Sequence, residues 1–311
     1  PLERASRQPE KRKPSPSQYS IPFSFRKNPP TLLSFAKPAN PISGCLLPPI
    51  PNTMPPIQSP QNPQLKHLAK ILTAAKHRRE HRQAALEGAH LLAAYLDAGN
   101  TPQQVYIPEP KLRQPETAAL AARLPENRIT PVAPHLLQKI SSLDHADDII
   151  SLIALPCPAP PAREDCIVLD AVQDAGNVGT VLRSAAAAGI RHVVLGAGCA
   201  DAYSPKVLRA GMGAHFALHL FEGLQPEDIE QLAVPLLATS SHQGQWLHRA
   251  ALPWPCAWLM GHEGQGVSAA LARQASAHIR ITQPGGEESL NVAAAAAICL
   301  HASAAGRETG E

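Results

Sequence analysis

The chain has 311 residues, enough for two domains of ordinary size, and its 44% hydrophobic but only 4% aromatic content leaves the packing to alanine and leucine, which favours helices. The net charge of +3 hides an uneven layout: +6 over residues 1–60 and +5 over 61–83, against −3 over 84–160 and −5 over 161–311, so a polyanion would be gripped at the N-terminal end. No run of about 18 apolar residues is present to span a membrane, and six cysteines with no C-x-x-C pair and no nearby H-x-x-x-H partner read as buried thiols in a reducing cytoplasm rather than a zinc site or disulfide framework.

Residues 1–60 are crowded with proline, as in Pro14-Ser15-Pro16, Pro29-Pro30, Pro48-Pro49 and Pro55-Pro56. Proline removes backbone donors and resists helix and ladder alike, so this segment is expected to be disordered. Met54 is its only methionine and a candidate true start; the rival is a genuine basic tail that touches RNA. The stretch lacks the compact apolar core of a signal peptide; it is basic, serine-bearing and poor in acids like an organelle transit peptide, although its prolines oppose the amphipathic helix such a peptide needs.

From Gln64 the pattern turns helical. Leu65, Leu68, Ile71 and Leu72 recur on one face, with Lys66, Lys70, Lys76, Arg78, Arg79 and Arg82 between them. A second helix is expected over Ala84–Ala98, closed by Gly99-Asn100. Strands at Val105–Ile107 and Ile149–Leu155, with short helices at Ala118–Leu124 and Pro134–Ser142, complete a small α/β domain over residues 61–157. The proline-rich 158–163 segment is a semi-rigid linker. Residues 164–305 then alternate strands (Cys166–Leu169, His192–Leu195, Leu236–Thr239, Ala257–Met260, His278–Ile281) with helices (Val178–Ala188, Pro205–Ala210, Pro226–Gln231, Ser268–Arg273, Leu290–Ala304), and 306–311 is a tail. Short apolar strands between helices mean a mostly parallel sheet covered on both faces.

Three segments carry the chemistry. In the first, a strand delivers the chain to Asp174-Ala175-Gly176-Asn177, where Asn177 reads as sitting at or near the helix N-cap; Gly179 permits close backbone approach, and Arg183 offers a planar permanent cation for a phosphate or oxyanion. The G-x-x-G spacing here is neither a dinucleotide fingerprint nor a P-loop. In the second, Gly261-His262-Glu263-Gly264-Gln265-Gly266 forms a tight loop at the carboxyl end of a strand, where open α/β sheets bind ligands. His262 has no evident partner to orient it as an acid or base. In the third, Ile281-Thr282-Gln283-Pro284-Gly285-Gly286 leads into Glu287-Glu288-Ser289-Leu290-Asn291-Val292 and a five-alanine run, and N–H groups at Leu290–Ala293 could hold a ligand carboxylate.

Taken together, these segments resemble the three motifs of the SpoU/TrmH RNA ribose 2′-O-methyltransferases of the SPOUT superfamily. The resemblance covers 164–305 in the correct order and includes Ser204-Pro205-Lys206-Val207-Leu208-Arg209-Ala210-Gly211. Residues 61–157, most clearly Lys76–Gly88, resemble the family's L30e-like RNA-binding domain. The resemblance implies an α/β domain with a C-terminal trefoil knot, a homodimer through that domain, an RNA substrate (rRNA over tRNA), and S-adenosylmethionine bound by Thr239, Gly261, Ile281, Gln283 and Leu290. It places Arg183, Asn177, Glu263, Ser289 and Asn291 at catalytic positions, and Arg183 stabilises the reacting 2′-oxygen or acts as its base. RNA would lie along Lys66, Lys70, Lys76, Arg78, Arg79, Arg82, Lys206 and Arg209. No metal or membrane is implied. A catalytically silent RNA-binding or ribosome-assembly factor on the same scaffold is the alternative. The sequence departs from the family at Ile281-Thr282-Gln283, where Ile-Pro-Met is common, and at Gly211, where a small Ser is common.

Overall fold

A computed structural model describes residues 55–142, 148–285 and 289–308. Met54 and the tail before it lie outside the described residues. Residues 55–60 do not follow the expected disorder: Ile57 bridges to Val132, its N–H donating to the Pro131 carbonyl at 2.9 Å.

The N-terminal part starts with α1 (Pro63–Thr73), in which Leu65, Leu68, Ile71 and Leu72 are buried as their spacing requires. The expected basic helix is broken at Ala74, whose φ of −123° is extended, and resumes as α2 (Ala75–His81). The single helix expected over Ala84–Ala98 is overturned. Gln83–Glu87 is strand β1, Gly88 turns the chain at φ 99°, and only Ala89–Asp97 is helical, as α3. Helix propensity loses here because Ala84–Glu87 is buried within a sheet, a tertiary demand that local preference cannot resist.

There follow β2 (Gln104–Pro108), α4 (Pro115–Ala121), β3 (Ile129–Val132), α5 (Pro134–Ile140) and β4 (Ile150–Ala154). The strands order as β1-β4-β2-β3. β4 runs antiparallel to both its neighbours, and β3 is a parallel edge. β3 was not expected because it contains Pro131, which only an edge tolerates.

The C-terminal part contains β5 (Cys166–Leu169), α6 (Ala175–Ala187), β6 (His192–Gly196), α7 (Pro205–Gly211), β7 (His219–Leu224), β8 (Leu236–Thr239), β9 (Gln245–Trp246), β10 (Ala257–Met260), α8 (Ala269–Ala272), β11 (Ala277–Arg280) and α9 (Val292–Glu308). Every pairing in its sheet is parallel, in the order β7-β6-β5-β10-β8-β11-β9. The edge strands β7 and β9 were not expected; β9 has two residues, too few for a readable alternation. Residues 226–232 form a 3-10 turn rather than an α-helix. α9 runs to Glu308 where a tail was expected at 306, and Arg307 donates to the Ala188 carbonyl at 2.7 Å.

One core runs through both parts. Leu86, Leu91, Tyr95 and Ile153 pack in the same cluster as Ile167, Val181, Leu208 and Trp258. Trp258 is fully buried, and its indole N–H donates to Ser303 Oγ on α9 at 2.8 Å. Polar ties reinforce the junction. Arg78 reaches Asp201 Oδ2 at 2.8 Å, and Arg209 on α7 reaches Glu87 Oε2 on β1 at 3.2 Å. Glu87 is buried but satisfied, accepting from Ser141 Oγ and from the Ser142 N–H and hydroxyl.

Candidate active site

β10 inserts between β5 and β8, so the direction in which strands are added reverses beside it. Such a switch point leaves a crevice at the carboxyl ends of the strands. A cleft of about 400 Å³ occupies this position. Its walls include Thr239 at the end of β8, Gly261 after β10, Ile281 and Gln283 after β11, and Leu290 before α9. All five residues expected to hold a cofactor therefore share one cavity, with Glu263 and Ser289 in its lining. Ser240–Gln243 also line it and were missed; they belong to a polar loop with no motif to mark it.

The loop at Gly261 has a plain steric reason. A Cβ there would lie 2.1 Å from both Gly266 C and Val267 N, so only glycine lets the loop close on itself. His262 shapes that loop. Its Nδ1 accepts from the Gly264 and Gln265 N–H groups at 2.9 and 3.2 Å, which commits that nitrogen to holding the loop. Thr239 is spoken for by its hydroxyl, which donates to the Leu259 carbonyl at 3.0 Å. Gln283 Oε1 is different: it is buried and has no hydrogen-bond partner among the described residues. An unsatisfied acceptor at a cleft wall calls for a donor from whatever fills the cleft.

At one end of the cleft the three motifs meet through side chains. Asn177 Nδ2 donates to Glu263 Oε1 at 3.0 Å, and Asn291 Nδ2 donates to Asn177 Oδ1 at 2.9 Å. Glu263 also accepts from the Asp174 and Gln173 N–H groups at 3.3 and 3.4 Å. Partial burial pushes its carboxyl upward, but the Asn177 amide and the backbone N–H groups of Glu263, Asp174 and Gln173 outweigh this and hold it below the usual range. Glu263 is thus an anchor for amides, held ionised.

Two expectations change. Asn177 is not the N-cap of α6; Asp174 is, accepting from the Asn177 N–H at 2.8 Å, and this frees the Asn177 side chain for Glu263. The N–H groups at the start of α9 are not all open to a ligand, because Asn291 Oδ1 takes those of Ala293 and Ala294 at 2.9 and 3.2 Å.

Arg183 projects from the exposed face of α6, does not line the cleft of its own chain, and makes no hydrogen bond or ion pair with a described residue. Among the expected RNA contacts, Lys66, Lys70, Lys76, Arg79, Arg82 and Lys206 are exposed. Arg78 is not available. It is buried, with Asp201 and the Ile71 and Leu72 carbonyls consuming its donors. Arg209 is half-buried and committed to Glu87 and Ser142. A residue count along a basic helix cannot tell a cation facing solvent from one facing the next domain.

A cleft at the switch point of a parallel sheet, with an amide-lined rim, marks a ligand-binding α/β domain, and comparison with known proteins narrows it. Residues 165–301 match the SpoU rRNA Methylase family, and residues 62–151 match an MRM3-like substrate binding domain. An uncharacterized tRNA/rRNA methyltransferase of Synechocystis is 33% identical over 81% of this chain and 94% of its own length. The chain belongs to the SpoU methylase family. The 23S rRNA (guanosine(2553)-2′-O)-methyltransferase RlmP of Bacillus subtilis is 29% identical over 79% of this chain and 97% of its own. Among solved structures, the AdoMet-bound rRNA methyltransferase of Sinorhizobium meliloti superimposes with a TM-score of 0.69 at 28% identity, covering 82% of this chain and 98% of that one.

Proposed function

We propose that the protein transfers a methyl group from S-adenosylmethionine to a ribose 2′-hydroxyl of ribosomal RNA. The observation that carries this reading is the convergence of Asn177, Glu263 and Asn291 at the rim of a cleft lined by Thr239, Gly261, Ile281, Gln283 and Leu290. The names of the similar proteins support the reaction class. The residues fit the cofactor: the partnerless Gln283 Oε1 accepts from a polar N–H or O–H, and the glycine loop brings backbone to the cleft wall.

When bound, the cofactor supplies an electrophilic sulfonium methyl. The chain's own residues do the rest. Glu263 and Asn291 clamp the Asn177 amide, so the rim presents a rigid polar edge to the ribose. Arg183 carries a guanidinium, which is a poor base. Its role is to stabilise charge developing on the 2′-oxygen, jointly with a neighbouring phosphate. Ser289 holds the ribose in register from the cleft wall.

The protein acts as a homodimer in this reading. Gly176, Thr180, Arg183 and Ala187 form an exposed stripe on α6, and Ala294, Ile298 and His301 form another on α9, which packs beside it. Ile298, 40% exposed, adds an apolar side chain to this face. A second copy on this face would bring its Arg183 toward the first copy's cleft. The interleaved β5-β10-β8-β11 order supports the family's knot, and the four-stranded unit over 61–157 supports an L30e-like substrate domain. No helix among the described residues is long and apolar enough to cross a membrane. The buried free thiols Cys166, Cys256 and Cys299 suit a reducing compartment such as the cytoplasm.

The test is methylation of rRNA fragments with labelled cofactor, followed by mass-spectrometric mapping of ribose methylation. A mapped 2′-O-methyl nucleotide is expected. Tight RNA binding with neither cofactor binding nor methylation would instead identify an assembly factor.

A further inference from the structure

The α2 sequence His77-Arg78-Arg79-Glu80-His81 carries chemistry that methyl transfer does not use. Residues three and four apart share a helix face, so His77, Glu80 and His81 stand together. One ligand atom from each lies within 4.8 Å of the others. The His77 and His81 rings stack with centroids 5.9 Å apart, and His67 of α1 meets His81 edge-on at 4.7 Å. His67 Nε2 is held by Gln83 Oε1 at 2.6 Å, which fixes this wall of the cluster.

His77 Nδ1 is buried and has no hydrogen-bond partner among the described residues. Glu80 Oε2 stands 3.6 Å from it, too far for a hydrogen bond, while Glu80 Oε1 faces Lys76 Nζ at 3.7 Å. A buried polar nitrogen without a partner needs an explanation, and a carboxylate oxygen beside it narrows the choice.

We propose that His77, Glu80 and His81 bind a divalent first-row transition metal, zinc foremost, with three protein ligands and one open position. Two imidazoles and a carboxylate suit zinc, nickel or copper, whereas magnesium and calcium demand oxygen ligands. Tetrahedral zinc with bonds of ~2 Å needs its ligand atoms roughly 3.3 Å apart. Rotation of the exposed Glu80 and His81 side chains closes the remaining gap. The open position takes water or, since Arg79 and Arg82 flank these residues in sequence and are exposed, an RNA phosphate oxygen. That last clause rests on the RNA reading; the metal site itself does not.

Calorimetric titration of the untagged, metal-stripped full chain with zinc ion alone tests the site. About one equivalent should bind with micromolar affinity, and His77→Ala and His81→Gln should each weaken it at least about tenfold. Glu80→Gln and His81→Gln alter exposed side chains, so they keep the test informative if His77→Ala fails to fold. Cobalt ion should give the visible absorption of a four-coordinate site, lost in His81→Gln. No zinc binding, or binding unchanged in His81→Gln and Glu80→Gln, would overturn the proposal. RNA affinity indifferent to zinc would remove the phosphate ligand and leave the metal site standing.

Discussion

Asn291 donates its side-chain amide to Asn177 Oδ1 at 2.9 Å across 114 positions of sequence, and with its own Oδ1 caps α9. One side chain therefore ties the third motif to the first while fixing the helix that follows. Asn291→Ala should cost about 1 kcal/mol of stability through the lost cap. A double-mutant cycle with Asn177→Ala, read by thermal unfolding, should give a coupling of roughly 0.5 kcal/mol or more. Strict additivity would mean that the contact carries no energy.

Arg183→Ala should abolish methyl transfer while leaving the unfolding midpoint unchanged, because the exposed side chain makes no hydrogen bond or ion pair with a described residue. If the chain pairs through this face, mixing Arg183→Ala with a variant crippled at its own cofactor cleft should restore part of the activity, since each mixed dimer would contain one site with both halves intact. No restoration would place Arg183 in its own chain's chemistry.

Gly179→Ala should destabilise by roughly 1–3 kcal/mol, the usual cost of overpacking. The new Cβ would sit 2.4 Å from Ala210 Cβ and 2.8 Å from the Gly211 nitrogen, with little room to give. Chemical denaturation measures this directly, and a neutral result would mean that α6 and α7 slide apart freely.

Acid sensitivity should centre on His215. It is buried, and its Nε2 donates to the Ala202 carbonyl at 2.8 Å while Nδ1 has no partner among the described residues. Burial drives its pKa from 6.5 down to about 4. The unfolded chain thus takes up the proton first, so stability is full above pH ~6.5 and falls by about 3 kcal/mol as pH drops toward 4. His215→Gln should flatten that part of the pH–stability curve.

Arg78 and Arg79 are adjacent yet should fail in opposite ways. Arg78→Met strands Asp201 at the domain junction and should cost about 3 kcal/mol or more of stability. Arg79→Met should leave stability intact and lower the salt dependence of RNA binding by about one counterion. Filter binding at several salt concentrations separates the two.

Strands β2, β4, β5, β6, β8, β10 and β11 and the glycine loops were legible in the sequence because each follows from a local rule, and Thr239, Gly261, Ile281, Gln283 and Leu290 were legible through the family resemblance. Gly261 and the Asn177, Glu263 and Asn291 set stand where chain reversals demand small or polar residues. β1 was illegible because alanine and leucine prefer helix and only pairing with β4 says otherwise. The Asp174 cap was hidden by an equally good capping residue three positions on. The commitment of Arg78 and Arg209 was invisible because their partners, Asp201 and Glu87, lie more than a hundred residues away. The histidines of α2 escaped a search organised around cysteine.

The shared apolar cluster and the Arg78–Asp201 and Arg209–Glu87 ties make the two sheets a single jig rather than a bait on a tether. An RNA seated on the smaller half would have to offer its target sugar at a fixed offset from the cleft. Selectivity would then be a matter of measured distance along a folded RNA, and lengthening the 158–163 connection would change little while those clasps hold.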